Sequence, residues 1–163
     1  MTVRKFGEII MFNHYDTNEK NICLHDCTAK KVKIKNDNLI FYFNDGFWIC
    51  TQHENNKLNE TVRTDKSKVK YHLTDINDIT VYVFYRKRNK AIRKEWSADK
   101  LLKRINSGKY SLEFLYQYRD FNSRILKCML VKGKKRYFRE CEIIIATDKV
   151  TYCWNKLCED RKW

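Results

Sequence analysis

The segment from Cys23 to Cys27 is the densest group of side chains in the chain that could do chemistry. It reads Cys23-Leu24-His25-Asp26-Cys27. A thiol beside an imidazole can act as a nucleophile, because the base removes its proton and nearby cations stabilise the thiolate. In a strand, side chains at spacing two share a face, so Cys23, His25 and Cys27 would point together. One hypothesis is therefore a thiol or zinc enzyme around His25 and Cys27.

The same segment also has a structural explanation, which we favour. Zinc takes four ligands in a tetrahedron, and three ligands at spacing two on one strand do not readily close around the ion. No second pair at zinc spacing follows, since Cys153 and Cys158 are too far apart in sequence. Two packed thiols and a structural histidine account for the segment. We therefore expect no metal and no cofactor, and the enzyme is the least favoured hypothesis.

The sequence contains few of the residues that a nucleotide-binding loop requires. The sequence contains four glycines and none of the patterns GxGxxG, P-loop or GxSxG. A loop that wraps phosphate groups needs glycines, because its backbone must approach the phosphate closely. A nucleotide-hydrolysing enzyme is therefore not expected.

Two short basic segments are the candidate binding surface. The chain carries 34 lysine and arginine residues against 20 acidic ones, a net charge of +14. Such an excess attracts polyanions. The cations concentrate at two predicted turns, and the predicted binding residues are Arg86, Lys87, Arg88, Lys90, Lys132, Lys134, Lys135 and Arg136.

These basic segments admit two interpretations. Cations interleaved with aromatic residues, as in Arg136-Tyr137-Phe138-Arg139, are typical of surfaces that bind single-stranded nucleic acid. Alternatively, the lysines protect strand edges and the rings pack inward. The second interpretation is favoured, because the chain contains no RNP-type or helix-turn-helix pattern.

The elements that must position these residues are mostly strands. Val32 and Ile34 alternate with lysines, which predicts a half-buried strand, and apolar residues on both faces of 39–43 predict a central one. Asn44-Asp45-Gly46 is the strongest hairpin signal, since glycine accepts a positive φ. A returning strand is expected to start at Phe47.

One helix interrupts the strands. Ser97 can cap its first turn, Leu101 and Ile105 share an apolar face, and Gly108 can end it, so we predict a helix over about 97–107. The strands expected after it are 110–118, 125–131, 137–145 and 150–154. In the first of these, the residues expected on one face are Leu112, Phe114, Tyr116 and Tyr118.

The fold class is therefore α+β and β-dominated, an antiparallel meander that forms a sandwich or a curved sheet or barrel with one main helix. The 163 residues fit a single domain, 1–163. The polar stretch 52–68 has no apolar period and is predicted to be a mobile loop. The expected core residues are Phe41, Phe43, Trp48, Val83, Leu101, Ile105, Phe114, Leu130 and Ile143.

The seven cysteines favour a reducing compartment. Their number is odd and their spacing irregular, and the chain does not start with a signal-peptide pattern. No apolar run approaches the roughly 18 residues of a membrane span. We therefore expect free thiols, a cytoplasmic location and no membrane segment.

Several stretches resemble short, uncharacterised single-domain proteins of clostridial-type bacteria. The resemblance is spread over most of the chain, in Leu24-His25-Asp26-Cys27, Asp45-Gly46-Phe47-Trp48-Ile49, Thr64-Asp65-Lys66-Ser67, Leu112-Glu113-Phe114-Leu115-Tyr116-Gln117-Tyr118 and Trp154-Asn155. It implies a stand-alone bacterial domain and no known activity or site.

Three functional hypotheses follow from the sequence. The favoured one is a non-enzymatic macromolecule-binding module with an acidic protein partner, by analogy with small domains that act by docking. The second is a nucleic-acid-binding domain that uses its basic, aromatic-containing surface. The third is the thiol or zinc enzyme, and the oligomeric state stays open.

Overall fold

The computed structural model describes residues 11–133 and 137–163. Within these ranges the chain forms thirteen strands and one helix. In chain order they are β1 (His14–Asp16), β2 (Ile22–Cys23), β3 (Cys27–Lys35), β4 (Asn38–Phe43), β5 (Trp48–Ile49), β6 (Val62–Thr64), β7 (Ser67–Leu73), β8 (Ile79–Lys87), β9 (Lys90–Trp96), α1 (Ala98–Asn106), β10 (Tyr110–Arg119), β11 (Ser123–Lys132), β12 (Tyr137–Trp154) and β13 (Leu157–Lys162).

Six strands close into an antiparallel barrel. The order around it is β11, β10, β3, β4, β7 and β12, and β12 completes the ring by pairing with β11. Strands β8 and β9 extend the sheet outward from β12. The prediction of a β-dominated antiparallel fold with one helix is confirmed, and the barrel is the alternative that forms.

Strand β12 is longer than its sequence suggests. The predicted strands 137–145 and 150–154 are one strand of 18 residues. Its first half pairs with β11 and β8, and its second half with β7 and β1. A register shift between Thr147 and Lys149 accommodates the change of partners. Pairing on both edges keeps the chain extended where the local sequence predicts a break.

A bulge in β10 corrects the prediction that four of its residues share a face. Leu112 and Phe114 are buried, whereas Tyr116 and Tyr118 are exposed. The pairing register with β11 shifts between Phe114 and Tyr116. Because Leu115 is an extra residue in the ladder, the alternation of faces reverses after it.

The predicted hairpin at Gly46 is half right. The turn forms, with the Gly46 amide donating to the Phe43 carbonyl at 3.4 Å, but β5 does not return along β4. It pairs instead with β2 and β6, in a second sheet of order β13, β6, β5 and β2. Gly46 has a φ of +71°, and a Cβ there would lie 2.1 Å from the Thr64 carbonyl oxygen. Glycine is therefore required at this turn, because the backbone of Gly46 passes close to β6 of the second sheet.

The barrel interior is filled by aromatic and branched side chains. Eight of the nine predicted core residues are fully buried, and Trp48 is partly buried. Phe114 lies edge-to-face against Phe41 and Phe43, with ring centroids 5.1 and 5.3 Å apart. These large rings fill a narrow barrel of six strands and make its middle a packed core.

Helix α1 confirms the prediction of a helix over 97–107. The Ser97 hydroxyl accepts a hydrogen bond from the Lys100 amide at 3.2 Å, and Gly108 ends the helix with a φ of +73°. The Asn106 side chain accepts from the Val32 amide at 2.9 Å and donates to the Val32 carbonyl at 2.8 Å. It thereby replaces a strand partner at a point where β3 no longer pairs with β10.

The stretch 52–68 is not loop throughout, because it contains β6 and the start of β7. Val62 and Thr64 are buried, and the buried Asn56 side chain donates to the Ile49 and Glu60 carbonyls, both at 3.0 Å. Pairing with β5 and β13 forms β6 without a run of apolar residues. The mobility of 52–68 stays a prediction.

Candidate functional site: a basic end of the barrel

The segment from Cys23 to Cys27 forms a turn and not a continuous strand. Asp26 has a φ of +58°, its amide donates to the Phe114 carbonyl at 2.8 Å, and the Cys27 amide donates to the Leu24 carbonyl at 3.0 Å. The expectation that Cys23, His25 and Cys27 share a strand face is therefore wrong. The turn is imposed by contact with β10, which the local sequence does not reveal.

The geometry of Cys27 opposes its use as a nucleophile. Its side chain is buried, and burial raises its pKa to about 12, so the thiol stays protonated at neutral pH. The Cys27 Sγ donates to the backbone carbonyl oxygen of His25 at 3.5 Å, and not to the His25 ring. The His25 ring instead places Nδ1 at 2.8 Å from the Leu115 carbonyl oxygen.

We expect native cysteines to react in an order set by burial. All seven are free thiols in the structure, with Cys27 and Cys128 buried and Cys23 and Cys158 half-buried. A short pulse of iodoacetamide at neutral pH should label Cys23 and Cys158 well before Cys27 and Cys128, because thiolate and access are both needed. Peptide mass spectrometry measures the order. Labelling of Cys27 first would contradict the structure and revive the thiol-enzyme hypothesis.

Metal binding finds no support in side-chain grouping. Across residues 11–133 and 137–163, no three or more His, Cys, Asp or Glu side chains gather in an arrangement that could hold an ion.

The predicted basic turn at 86–90 is the tip of a two-stranded ribbon made by β8 and β9. Arg88 and Asn89 have φ values of +45° and +62°, as a two-residue hairpin turn requires. Strand β9 pairs with β8 and is the last strand at that edge among the described residues. Residues 86–95 are all exposed. The structure therefore presents Arg86, Lys87, Arg88 and Lys90 to solvent at one tip.

Cations lie over two tyrosine rings of this ribbon. The Arg93 guanidinium lies 4.3 Å from the Tyr82 ring centroid, and the Lys94 ammonium and Arg139 guanidinium lie 5.3 and 4.2 Å from that of Tyr85. The Tyr85 hydroxyl also accepts from the Trp96 indole at 3.2 Å. These rings hold cations in place through their faces, so they are not open platforms for stacking.

The second predicted basic turn lies at the same end of the sheet. Both β8 and β11 run antiparallel to β12, with Val83 opposite Cys141 and Lys132 opposite Tyr137. The chain therefore leaves β8 and β11 toward the same end of β12. A cavity of about 420 Å³ in this region is lined by residues of β8, β9, β11 and β12. Lys132 is exposed, and the predicted residues Lys134, Lys135 and Arg136 lie outside the described residues.

The charge of the protein is concentrated in these parts of the chain. Residues 86–109 contain ten lysines and arginines against Glu95 and Asp99, and residues 132–139 contain five against none. These two segments hold thirteen of the fourteen net positive charges, so the remainder of the chain is nearly neutral. Helix α1, within the first segment, packs on β3, β8 and β10. We call the ribbon 79–96, helix α1 and the hairpin end of β11 the basic end.

The cations of 86–109 form no ion pair with the acidic residues that the structure describes. No ion pair in the described part of the chain includes one of them. Sequence analysis of short turns missed the helix members of this set, Lys100, Lys103 and Arg104. A count of charge along the chain in windows of about 25 residues would have found them.

The sequence also did not predict a group of aromatic side chains beside the second half of β10. Tyr116, His25 and Trp163 border a cavity of about 540 Å³. Their positions in the sequence are far apart, and Trp163 lies outside every predicted strand, so no local signal joins them.

The helix that the structure describes has nine residues. No helix among the described residues is long and apolar enough to span a membrane. No protein-family model matches the chain, and neither a curated protein nor a solved structure matches it.

Proposed function

We propose that this protein is a nucleic-acid-binding module that contacts phosphate groups through its basic end. The observation that carries the proposal is the concentration of thirteen of fourteen net charges in two segments, 86–109 and 132–139. Among the described residues, no acidic side chain pairs with the cations of the first segment, so their charge is available to an external polyanion. Neutralising phosphates releases condensed counterions, which is the main source of affinity for surfaces of this kind.

The shape of the ribbon supports nucleic acid over an acidic protein. A two-stranded ribbon fits the major groove of a duplex. Lysine is depleted at protein interfaces relative to the remaining surface, yet 86–94 contains Lys87, Lys90 and Lys94 beside three arginines. Cations lie over the rings of Tyr82 and Tyr85. Phosphate contact therefore accounts for the ribbon better than base stacking does.

We expect the protein to bind a labelled DNA duplex of about 20 base pairs. The logarithm of Kd should rise linearly with the logarithm of the salt concentration. Replacing Arg86, Lys87 and Arg88 together with Glu should weaken it by about two orders of magnitude near 0.1 M salt. The slope of log Kd against log salt concentration should fall by about three, roughly one for each phosphate that the variant no longer neutralises. Fluorescence anisotropy measures both quantities, and the fold should survive because the changes lie at an exposed turn.

The matched control reverses three charges elsewhere. Lys20, Lys57 and Lys66 are exposed and lie outside the basic end, so the triple Glu variant has the same net charge as the ribbon variant. It should retain most of the affinity. Equal loss in both variants would show that net charge alone attracts DNA, and a flat salt dependence of the native protein would refute the proposal. Capture of an acidic protein with a ribbon-dependent on-rate, and no DNA binding, would favour the hypothesis preferred from sequence alone.

A further inference from the structure

An aromatic cleft lies beside the second half of β10, away from the basic end. Tyr110, the first residue of β10, pairs with Lys132, and Arg119, the last, pairs with Arg124. Six residues of strand separate Tyr110 from Tyr116, which is about 20 Å along β10. The bulge at Leu115 turns Tyr116 outward, and bulges commonly re-aim side chains beside functional sites.

Three rings form the wall of this cleft. The Tyr116 and His25 ring centroids are 5.5 Å apart and tilted by 43°, and those of His25 and Trp163 are 6.2 Å apart and tilted by 35°. Tyr116 is 56% exposed and Trp163 is 67% exposed. The cavity beside them measures about 540 Å³, which is in the range of small-molecule sites.

The rings are held in place from behind. The Trp163 ring packs edge-on against Trp48 at 5.0 Å, and its amide donates to the Thr61 carbonyl at 2.9 Å. The Trp48 indole donates to the His25 carbonyl at 3.1 Å, while the Arg63 guanidinium lies 4.4 Å from the Trp48 centroid. Such contacts fix a binding surface before the ligand arrives and lower the entropy lost on binding.

The floor of the cleft is polar, and the one carboxylate that lines it is paired with arginines. Gln117 and Glu19 line it. The Glu19 carboxylate accepts from Arg124 at 2.9 Å and from Arg119 at 3.1 Å, so its charge is compensated. Among the residues that line the cavity, a cation therefore finds no unpaired carboxylate, and the floor suits a neutral ring with hydrogen-bonding groups on its edge.

We propose that this cleft binds a nucleobase, with its face against Tyr116, His25 or Trp163 and its edge toward Gln117 and Glu19. Tyrosine, histidine and tryptophan are among the side chains on which unpaired bases stack. The Gln117 amide oxygen accepts from the Tyr71 hydroxyl at 2.6 Å, so its amide N–H groups, together with the Glu19 carboxylate, are the groups offered to the base edge. The base could belong to a free nucleoside or to an unpaired nucleotide in a strand, because both present the same ring. The site does not depend on the basic end.

The test uses neutral nucleosides, which carry no phosphate for the basic end to attract. Adenosine, guanosine, cytidine and uridine are titrated into the full chain by calorimetry. At least one should bind, and Tyr116→Ala and Trp163→Ala should each weaken it by about fivefold or more, the effect of losing a stacking ring. Phe121→Ala is the control, since Phe121 is an exposed ring outside the cleft and should leave affinity unchanged. Circular dichroism checks that each variant is folded.

A second arm separates the two sources of the base. Six-nucleotide homopolymers are titrated at about 0.5 M salt, which suppresses binding through the basic end. Tighter binding of a hexamer than of its nucleoside, lost in Tyr116→Ala, would assign the site to strands, and equal binding would assign it to free nucleosides. Failure of all nucleosides and hexamers to bind at millimolar concentration would overturn the proposal, as would binding that the Tyr116 and Trp163 variants retain. None of these outcomes alters the salt-dependent duplex test of the proposed function.

Discussion

Replacing Phe114 with Ala is expected to lower the free energy of unfolding by about 3–5 kcal/mol. Phe114 is 1% exposed and lies edge-to-face against Phe41 and Phe43. The backbone around it is held by pairing with both β3 and β11, so the barrel cannot readily collapse into the space left by the ring. The destabilisation therefore contains both the transfer of the ring to water and the cost of a cavity.

Urea unfolding followed by circular dichroism measures this destabilisation, with the slope on urea checked for two-state behaviour. Phe121→Ala is the matched control, because it removes the same ring from a side chain that is 89% exposed. That variant should stay within about 0.5 kcal/mol of the native protein. A Phe114→Ala variant as stable as the control would mean that the barrel interior is not packed as described.

The second large effect is expected at the ion pair between Glu19 and Arg124. Arg124 is 7% exposed, and the Glu19 carboxylate receives two hydrogen bonds from its guanidinium, at 2.5 and 2.9 Å. Glu19→Gln keeps the shape but leaves the guanidinium without its counter-charge inside the barrel mouth. Removing one partner of a buried pair costs about 3–5 kcal/mol, and we expect about 2–3 kcal/mol here because Glu19 is half-buried.

The matched control is Glu60→Gln. Glu60 pairs with Lys162, and both side chains are more than half exposed. Exposed pairs contribute little because water and salt screen them, so this variant should change stability much less than Glu19→Gln. Equal effects in the two variants would contradict the burial of Arg124.

The same pair predicts a dependence on pH. The hydrogen bonds from Arg124 lower the pKa of Glu19 below its ordinary value of 4.5, although burial partly opposes them. A carboxyl whose pKa is lower in the folded state contributes stability that is present above its unfolded pKa and is lost as pH falls toward the folded one. The stability difference between the native protein and Glu19→Gln should therefore shrink below about pH 4.5. A difference that is constant from neutral pH to about pH 3 would assign the effect to packing.

Local sequence determined much of the secondary structure. Ser97 and Gly108 bound the helix as caps, and alternation placed Phe41, Phe43 and Leu130 in the core, because these signals act through neighbouring residues and the burial of one face. The basic turn at 86–90 can also be predicted from the sequence, since a run of cations around Asn89 suits an exposed hairpin tip.

Closure of the barrel, and with it the shape of both candidate sites, was decided by the tertiary structure. The bulge at Leu115, the turn at Asp26 and the continuous β12 all follow from pairing between strands far apart in sequence. A single extra residue in the ladder is enough to turn Tyr116 from the core to the surface. The alternation of apolar residues along the sequence does not reveal such an extra residue. The amino-acid sequence by itself thus determined the helix, most of the strands and the excess of charge. The partners of each strand decided which cations share an end and which rings share a cleft, because only closure brings those residues together.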